Sequence, residues 1–330
     1  MRVAVFSCKP YDIRTLTTQA KGLEVELSFF ESKLCEETTS LVQGFDAVSC
    51  FVNDVINSKV LHQLSKQGIK AVILRCAGYN NVDLDCAKNL GIEVYHVPDY
   101  SPTSVAEHAL ALIMTLNRKT HRAYHRVKEG NFALEGLLGF NLQGKTVGCI
   151  GTGRIGQAFC RIMNGFGCKV LCYDIEPNQE LMDLGCEYTD LDTLFASSQI
   201  ISLHCPLNAS THHLINQQTL EKMRDGVMLI NTSRGALVHA QDAIQGLYSG
   251  KIGYLGLDVY EYEGSLFFED MSSDIIQDSV FQLLLTFPNV VVTGHQGYFT
   301  EEALAHIAQT TLENITSLEQ HKDRTGYRLA

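Results

Sequence analysis

Short apolar runs recur along nearly the whole chain, and stretches with helical spacing separate them. RVAVFS, VELSFF, AVSCFV, KAVILRC and EVYHV occupy the first hundred residues. KTVGCIG, KVLCYD, IISLHC, VMLINT, YLGLDV and NVVVTG form a second series. Strands that alternate with helices pair in parallel, because each helix carries the chain back to the end of the sheet where it started. The pattern therefore predicts an α/β protein with two doubly wound parallel sheets, of five and six strands. A chain of 330 residues is long enough for both, since domains run to roughly 100–200 residues.

Between the two series lies SPTSVAEHALALIMTLNRKTHRAYHRV. It starts with serine and proline, lacks glycine and places apolar residues at helical spacing. One long helix is expected from Thr103 to Val127, joining the domains. A last helix is expected over about Glu301–Glu319, folding back onto the first domain. The expected division is 1–100 plus 299–330 for one domain and 101–298 for the other.

Charge and cysteine content narrow the function classes. A net charge of −11 repels nucleic acid and anionic membrane surfaces, so neither is an expected partner. The 11 cysteines lie mostly inside apolar runs such as VSCFV and VLCYD. That is how free thiols serve as small core residues, and it fits a reducing cytoplasm. No C-x-x-C pair occurs, so no metal is expected. The N-terminus lacks signal-peptide anatomy, and no apolar run approaches the ~20 residues of a membrane span.

The sequence GTGRIG, Gly151 to Gly156, follows the strand KTVGCI and opens a helical segment. In that context G-x-G-x-x-G binds a dinucleotide. Gly151 permits the tight turn, Gly153 lets backbone approach a pyrophosphate, and Gly156 lets helix and strand pack closely. Asp174 ends the next strand. A carboxylate there accepts ribose hydroxyls and repels a 2′-phosphate, which favours NAD over NADP.

Three further strand ends carry polar side chains towards the crevice where such sheets bind ligands. NTSRGALV delivers Arg234, whose planar fork of donors suits a carboxylate. GLDVYEYEG delivers Asp258, Glu261 and Glu263, and VVVTGH delivers His295. An imidazole there can donate a proton to a carbonyl oxygen, and a neighbouring carboxylate would orient the ring and favour its charged form. On extended chain, Glu261 and Glu263 face the same side, so spacing leaves both open as that partner.

Taken in order, GTGRIG with Asp174, NTSRGALV, GLDVYEYEG and GHQGYF resemble the D-isomer-specific 2-hydroxyacid dehydrogenases over nearly the whole chain. Within that family the sequence looks most similar to the fermentative D-lactate dehydrogenases, through RCAGYNNVDL, VPDYSPTSVAEHAL, LHCPLNASTHHLIN and LFFEDMSSDIIQDSVFQLLLTFPNV. The resemblance implies a flavodoxin-like substrate domain, a Rossmann cofactor domain and a cleft between them. It also implies that Arg234 binds and polarises the substrate, that His295 is the acid/base, and that Glu263 pairs with His295. Arg154 and Ile155 are then expected on the pyrophosphate. Cys205, Pro206 and Thr211 fall near the adenine side, and Thr232, Ser233 and Asp258 near the nicotinamide. Ala77 and Gly78 would offer backbone N–H groups to the substrate carboxylate, and Tyr100 and Tyr298 would wall a small side-chain pocket. Two positions depart from the family pattern. Cys205 replaces a small apolar residue, and Gly297 replaces alanine, which is expected to loosen the loop holding Tyr298.

The expected reaction is reversible reduction of pyruvate to D-lactate with NADH. A different small 2-keto acid, such as hydroxypyruvate, glyoxylate or phenylpyruvate, keeps the same chemistry. An NAD-sensing corepressor-like role would need extra binding segments, and this chain is nearly all core fold. The resemblance further implies a homo-oligomer, dimer or tetramer.

Overall fold

The computed structural model describes residues 1–320 and 327–330. Residues 321–326, within the C-terminal stretch expected in the first domain, lie outside the described residues. Contacts divide the chain into one unit of Met1–Ser101 with Tyr298–Ala330, and another of Pro102–Gly297.

The first unit holds five parallel strands: β1 (Arg2–Val5), β2 (Glu26–Phe29), β3 (Ala47–Cys50), β4 (Ala71–Leu74) and β5 (Glu93–Tyr95). Their order is β2-β1-β3-β4-β5, that of flavodoxin-like sheets. β3 and β4 are buried at every residue, as expected of strands covered on both faces. The crossovers use α1 (Pro10–Gln19), α2 (Ser58–Lys66) and α3 (Leu84–Leu90). Asn57 and Asp83 start α2 and α3 by accepting the amides of Val60 and Cys86, each at 3.0 Å.

The last helix, α12 (Glu301–Glu319), belongs to this unit although it is remote in sequence. Ala308, Leu312 and Ile315 lie on one helical face and join Val3, Val5, Ala71 and Ile73 in a single core. Burying each of the larger aliphatic side chains contributes about 1.5–3 kcal/mol. The chain end then runs antiparallel beside β5: the Leu329 amide donates to the Val94 carbonyl at 2.7 Å, and Tyr95 bridges to Arg328.

The second unit has seven parallel strands: β6 (Thr146–Ile150), β7 (Lys169–Tyr173), β8 (Glu187–Tyr188), β9 (Ile200–Leu203), β10 (Val227–Asn231), β11 (Ile252–Leu257) and β12 (Val290–Val292). The order is β12-β11-β10-β9-β6-β7-β8. This is one strand more than the six expected. The unforeseen strand is β8, whose two residues are too few to show as an apolar run. Six helices lie between strands: α6 (Arg154–Gly165), α7 (Gln179–Asp183), α8 (Leu191–Ser197), α9 (Gln217–Lys222), α10 (Ala240–Ser249) and α11 (Ser279–Thr286).

The single helix expected from Thr103 to Val127 is two helices, α4 (Pro102–Arg118) and α5 (Thr120–Lys128). α4 packs Ala106, Ala109 and Ile113 against Val147, Met228 and Ile230, whereas α5 buries no residue. The break falls where a tertiary clamp takes over. Asn117 donates to the carbonyl of Phe140 and accepts its amide, both at 2.8 Å. Lys119 then adopts a left-handed φ of 49°. Helical periodicity runs straight through this point, so sequence pattern alone misses it.

Candidate active site

Strands β10, β11 and β12 are neighbours at one edge of the second sheet. The loops at their C-terminal ends carry Arg234, Asp258 with Glu263, and His295. In the first of these loops the fully buried Asn231 holds the turn, donating to the Arg234 carbonyl at 2.8 Å and accepting the Ser233 amide at 3.1 Å. Gly235 presses on the next loop: a Cβ there would sit 2.1 Å from the Tyr260 carbonyl carbon. Only glycine permits that approach, and it brings the arginine loop against the glutamate loop.

Asp258 anchors the site. Its carboxylate accepts Thr293 Oγ1 at 2.5 Å, the Gln296 amide at 2.9 Å and the Gly297 amide at 2.8 Å. His108 Nε2, from α4, lies 3.1 Å away. Burial pushes the Asp258 pKa up. The bond and charge of His108, with the Thr293 and Gln296 donors, outweigh burial and hold it below the ordinary carboxylate value. The Asp258 carbonyl accepts the His295 amide at 2.8 Å. The anchor thus positions the histidine backbone directly.

His295 has a left-handed φ of 56°, which costs a non-glycine residue about 1–2 kcal/mol. Its Nδ1 lies 2.8 Å from Glu263 Oε1, and its ring packs 5.6 Å from that of Phe268. The second Glu263 oxygen accepts the Tyr260 amide at 2.8 Å, so the carboxylate is fixed at both ends. Glu261 faces elsewhere. Its Oε1 meets His213 Nε2 at 2.6 Å, and its Oε2 accepts the Ala240 amide at 3.0 Å. The segment is a turn entering a 3-10 helix at Glu263–Ser265, not extended chain. The two glutamates therefore diverge, and the geometry pairs Glu263 with His295.

The loop after β12 also differs from expectation. Gly297 does not leave it loose. Its buried amide is tied to Asp258, and an added Cβ would lie only 3.0 Å from Asp258 Oδ2.

The glycine motif lies between β6 and α6. Gly151 has φ of 94°, and a Cβ on Gly156 would lie 2.0 Å from the Gly151 carbonyl oxygen. Gly153 faces open space and starts α6 without a side-chain cap, which leaves helix amides for an anion. Arg154 is exposed and Ile155 half-buried on the first turn. Asp174 Oδ2 accepts the Thr152 amide at 2.5 Å and Thr152 Oγ1 at 3.0 Å, and Oδ1 accepts the Ile175 amide at 2.7 Å. Oδ1 also lies 3.4 Å from the Glu176 amide, a bond long enough to yield its acceptor site to a ribose hydroxyl.

Cys205 is buried, and its backbone packs on Gly151. Burial pushes its thiol up to about 11, so it stays neutral. Its carbonyl accepts Ser233 Oγ at 2.7 Å. Pro206 and Thr211 share one turn, with Thr211 Oγ1 donating to the Pro206 carbonyl at 2.6 Å. The buried Thr232 hydroxyl has no partner within the protein. Thr232 follows β10, two strands from the β6 glycine turn, and an orphaned buried donor at that strand end is the chemistry a bound dinucleotide would satisfy, so the donor set fits NAD.

Ala77, Gly78, Tyr100 and Tyr298 all belong to the first unit. Tyr100 and Tyr298 meet edge to face with ring centroids 6.2 Å apart, and Phe51 lies 6.0 Å from Tyr298. The Ala77 carbonyl bonds His96 Nδ1 at 2.9 Å. Sequence reasoning assigned no role to Arg75, Thr152, His108 or Thr293. Arg75 is buried, donates to the Phe6 carbonyl at 2.9 Å and sits 5.8 Å over the Phe51 ring. Nothing local in the sequence links His108 to Asp258, because their contact depends on how α4 crosses the sheet.

The profile of the D-isomer specific 2-hydroxyacid dehydrogenase NAD binding domain matches residues 110–297. D-lactate dehydrogenase of Escherichia coli K12 is 52% identical over 320 residues, 97% of each chain. 2-Hydroxyacid dehydrogenase A of Aspergillus oryzae is 51% identical over 319 residues, 96% of this chain and 91% of its own. Among solved structures, the pyruvate reductase of Chlamydomonas reinhardtii superposes with a TM-score of 0.94 at 44% identity, covering 99% of this chain and 98% of its own. The apo D-lactate dehydrogenase of E. coli gives 0.92 at 48% identity, with both chains covered completely. No described helix is long and apolar enough to cross a membrane. By sequence, by fold and by the donor set at its glycine turn, this chain belongs to the D-isomer-specific 2-hydroxyacid dehydrogenases and uses NAD.

Proposed function

We propose that this enzyme reduces pyruvate to D-lactate with NADH and catalyses the reverse oxidation. The observation that carries the reading is the His295–Glu263 pair, built at the end of a strand two places from the one that delivers Arg234. Arg234 presents a planar fork to the substrate carboxylate and draws electron density from the ketone. Glu263 occupies Nδ1 of His295, so proton transfer falls to Nε2. In reduction that nitrogen protonates the ketone oxygen, and in oxidation it takes the proton back from the hydroxyl. When bound, NADH supplies the hydride. Gly151, Gly153, Arg154, Ile155 and Gly156 hold the pyrophosphate. Asp174 holds the ribose, Cys205, Pro206 and Thr211 border the adenine, and Thr232, Ser233 and Asp258 approach the nicotinamide.

Residues 1–100 with 299–330 act as the substrate domain, and 101–298 as the cofactor domain. Ala77 and Gly78 offer amides to the carboxylate. The edge-to-face Tyr100–Tyr298 pair favours a substrate with a side chain as short as a methyl group. The names of the E. coli and C. reinhardtii relatives point to the same substrate pair.

A homo-oligomer, dimer or tetramer, is supported by an apolar surface. Tyr124 and Val127 on α5, with Phe132, Leu134 and Leu138 beyond it, are all more than half exposed. A cluster of that kind marks a protein interface. Eleven cysteines, none of them in a disulfide, fit a cytoplasmic location.

Steady-state kinetics with pyruvate, hydroxypyruvate, glyoxylate, phenylpyruvate and 2-ketoisocaproate, each with NADH and NADPH, tests the reading. Pyruvate with NADH should give the highest kcat/KM. Preference for a bulky keto acid would overturn the substrate, and equal use of NADPH would overturn the role of Asp174.

A further inference from the structure

Cys160, Cys172 and Cys186 are spread along the chain but meet in the core of the second unit. Cys160 comes from α6, Cys172 from β7, and Cys186 from the turn between α7 and β8. Their sulfurs all lie within 4.8 Å of one another, and those of Cys160 and Cys172 are 3.6 Å apart. The fold explains the meeting. Cys172 pairs with Cys149 of β6 in register, so both face the side of the sheet that α6 covers. The Cys186 amide closes the turn onto the Leu181 carbonyl at 2.9 Å, which folds its side chain over the same face. No metal was expected from the sequence, because these cysteines are too far apart to form a local ligand motif.

The donor set is selective. It contains no oxygen or nitrogen ligand, so hard cations are disfavoured, and thiolates select soft ions. A metal about 2.3 Å from each of three sulfurs, the length of a zinc–thiolate bond, would set them about 4 Å apart. The Cys160–Cys172 spacing of 3.6 Å and the 4.8 Å limit on the other two accommodate that value. Structural zinc is almost always four-coordinate, and the cluster supplies three ligands. Cys149 neighbours Cys160, but its Sγ falls outside the group of sulfurs that all lie within 4.8 Å of one another, and it donates towards the Gly151 carbonyl, 3.4 Å away. Three sulfurs without a fourth ligand suit a trigonal ion.

We propose that Cys160, Cys172 and Cys186 form a three-thiolate site for one soft monovalent metal ion of the cuprous class, in the core behind the dinucleotide turn. Each thiol that coordinates the ion releases its proton to solvent. Cys186 is the outermost ligand, 4% exposed against 0% for the other two. It lies beside the two-residue edge strand β8, where the sheet is least paired and entry easiest. Because the ion binds only the folded arrangement, occupancy raises thermal stability.

The test uses the reduced full-length protein, titrated anaerobically with cuprous ion against a competing chelator. The expected result is one ion per chain, a higher Tm, and an X-ray absorption spectrum with three sulfurs at about 2.3 Å. Cys172→Ala and Cys186→Ala should each lose both the uptake and the rise in Tm. Cys86→Ser, outside the cluster, should keep them. Should both alanine variants fail to fold, the spectrum of the wild type decides. Three sulfurs support the site, and two sulfurs or any nitrogen or oxygen neighbour overturn it. No uptake by the wild type, or uptake that survives in both alanine variants, also overturns it.

Discussion

Two histidine–glutamate pairs start from one short turn of the second unit. Glu261 meets His213 at 2.6 Å, and Glu263 meets His295 at 2.8 Å. By distance alone the first pair is the better one. Their surroundings differ. Glu261 is nearly buried, and its other oxygen accepts the first amide of α10. The His213 ring lies in a histidine cluster, 3.8 Å from His212 and 4.7 Å from His239 by ring centroids. Both histidines are left-handed, at φ of 52° and 56°, but Glu263 is spent on its own turn and on His295, whose amide is anchored by the Asp258 carbonyl beyond the end of β12. A short His–Glu contact therefore does not by itself mark an acid/base. What separates the pairs is whether the second carboxylate oxygen holds a helix or the glutamate's own turn.

The largest effect should come from His295. His295→Asn keeps a residue that tolerates the left-handed conformation. It should lower kcat for pyruvate reduction by about 10²–10⁴-fold, the usual worth of acid/base catalysis, with NADH binding retained. His213→Asn should leave kcat within about twofold, because its Glu261 partner holds α10 and not the His295 loop. Equal losses in the two variants would erase the distinction drawn here.

Arg234→Lys comes next. Losing a charged bidentate contact costs about 1.5–3 kcal/mol, so kcat/KM for pyruvate should drop roughly 10–100-fold, with both KM and kcat affected. Stopped-flow binding of NADH should be nearly unchanged. An unaltered pyruvate response would remove Arg234 from the site.

The glutamates should part company in kind. Glu263→Gln leaves an amide beside His295 and should reduce kcat by about tenfold, a fraction of the full acid/base contribution, with little change in Tm. Glu261→Gln should leave kcat intact and lower stability by about 1 kcal/mol, the worth of one buried hydrogen bond. A reversed pattern in kinetics and thermal melts would assign the catalytic partner to Glu261.

A third histidine acts on stability and not on turnover. His204 has no carboxylate. Its Nε2 lies 2.9 Å from Ser202 Oγ, and its shielded Nδ1 has no partner. Burial pushes its pKa down to about 3. The unfolded chain then binds the extra proton between about pH 6.5 and 3. Stability is complete above that window and falls as pH drops through it, by at most ~1.4 kcal/mol per unit. Urea melts at pH 7.5 and pH 5 should show this loss in the wild type and a smaller one in His204→Gln. Identical losses would exclude His204 as the source.

Sequence alone determined the architecture and supplied the polar side chains of the candidate site. Period-two and buried runs mark β1 to β7 and β9 to β12 because a strand covered on both faces must be apolar throughout. The glycines of GTGRIG are legible because no other residue fits Gly151 or Gly156. Arg234, Asp258 and His295 stand out because polar residues interrupt apolar strands only at their ends. Tertiary structure decided the rest. It broke the helix at Lys119 through a clamp on Phe140, added the two-residue β8, and tied Gly297 to Asp258. It also separated Glu261 from Glu263, because a turn rotates successive side chains by amounts that sequence spacing does not encode. The same limit hid His108 and the three cysteines. Contacts between residues far apart in the chain arise from how a helix crosses a sheet, and only the folded packing sets that crossing.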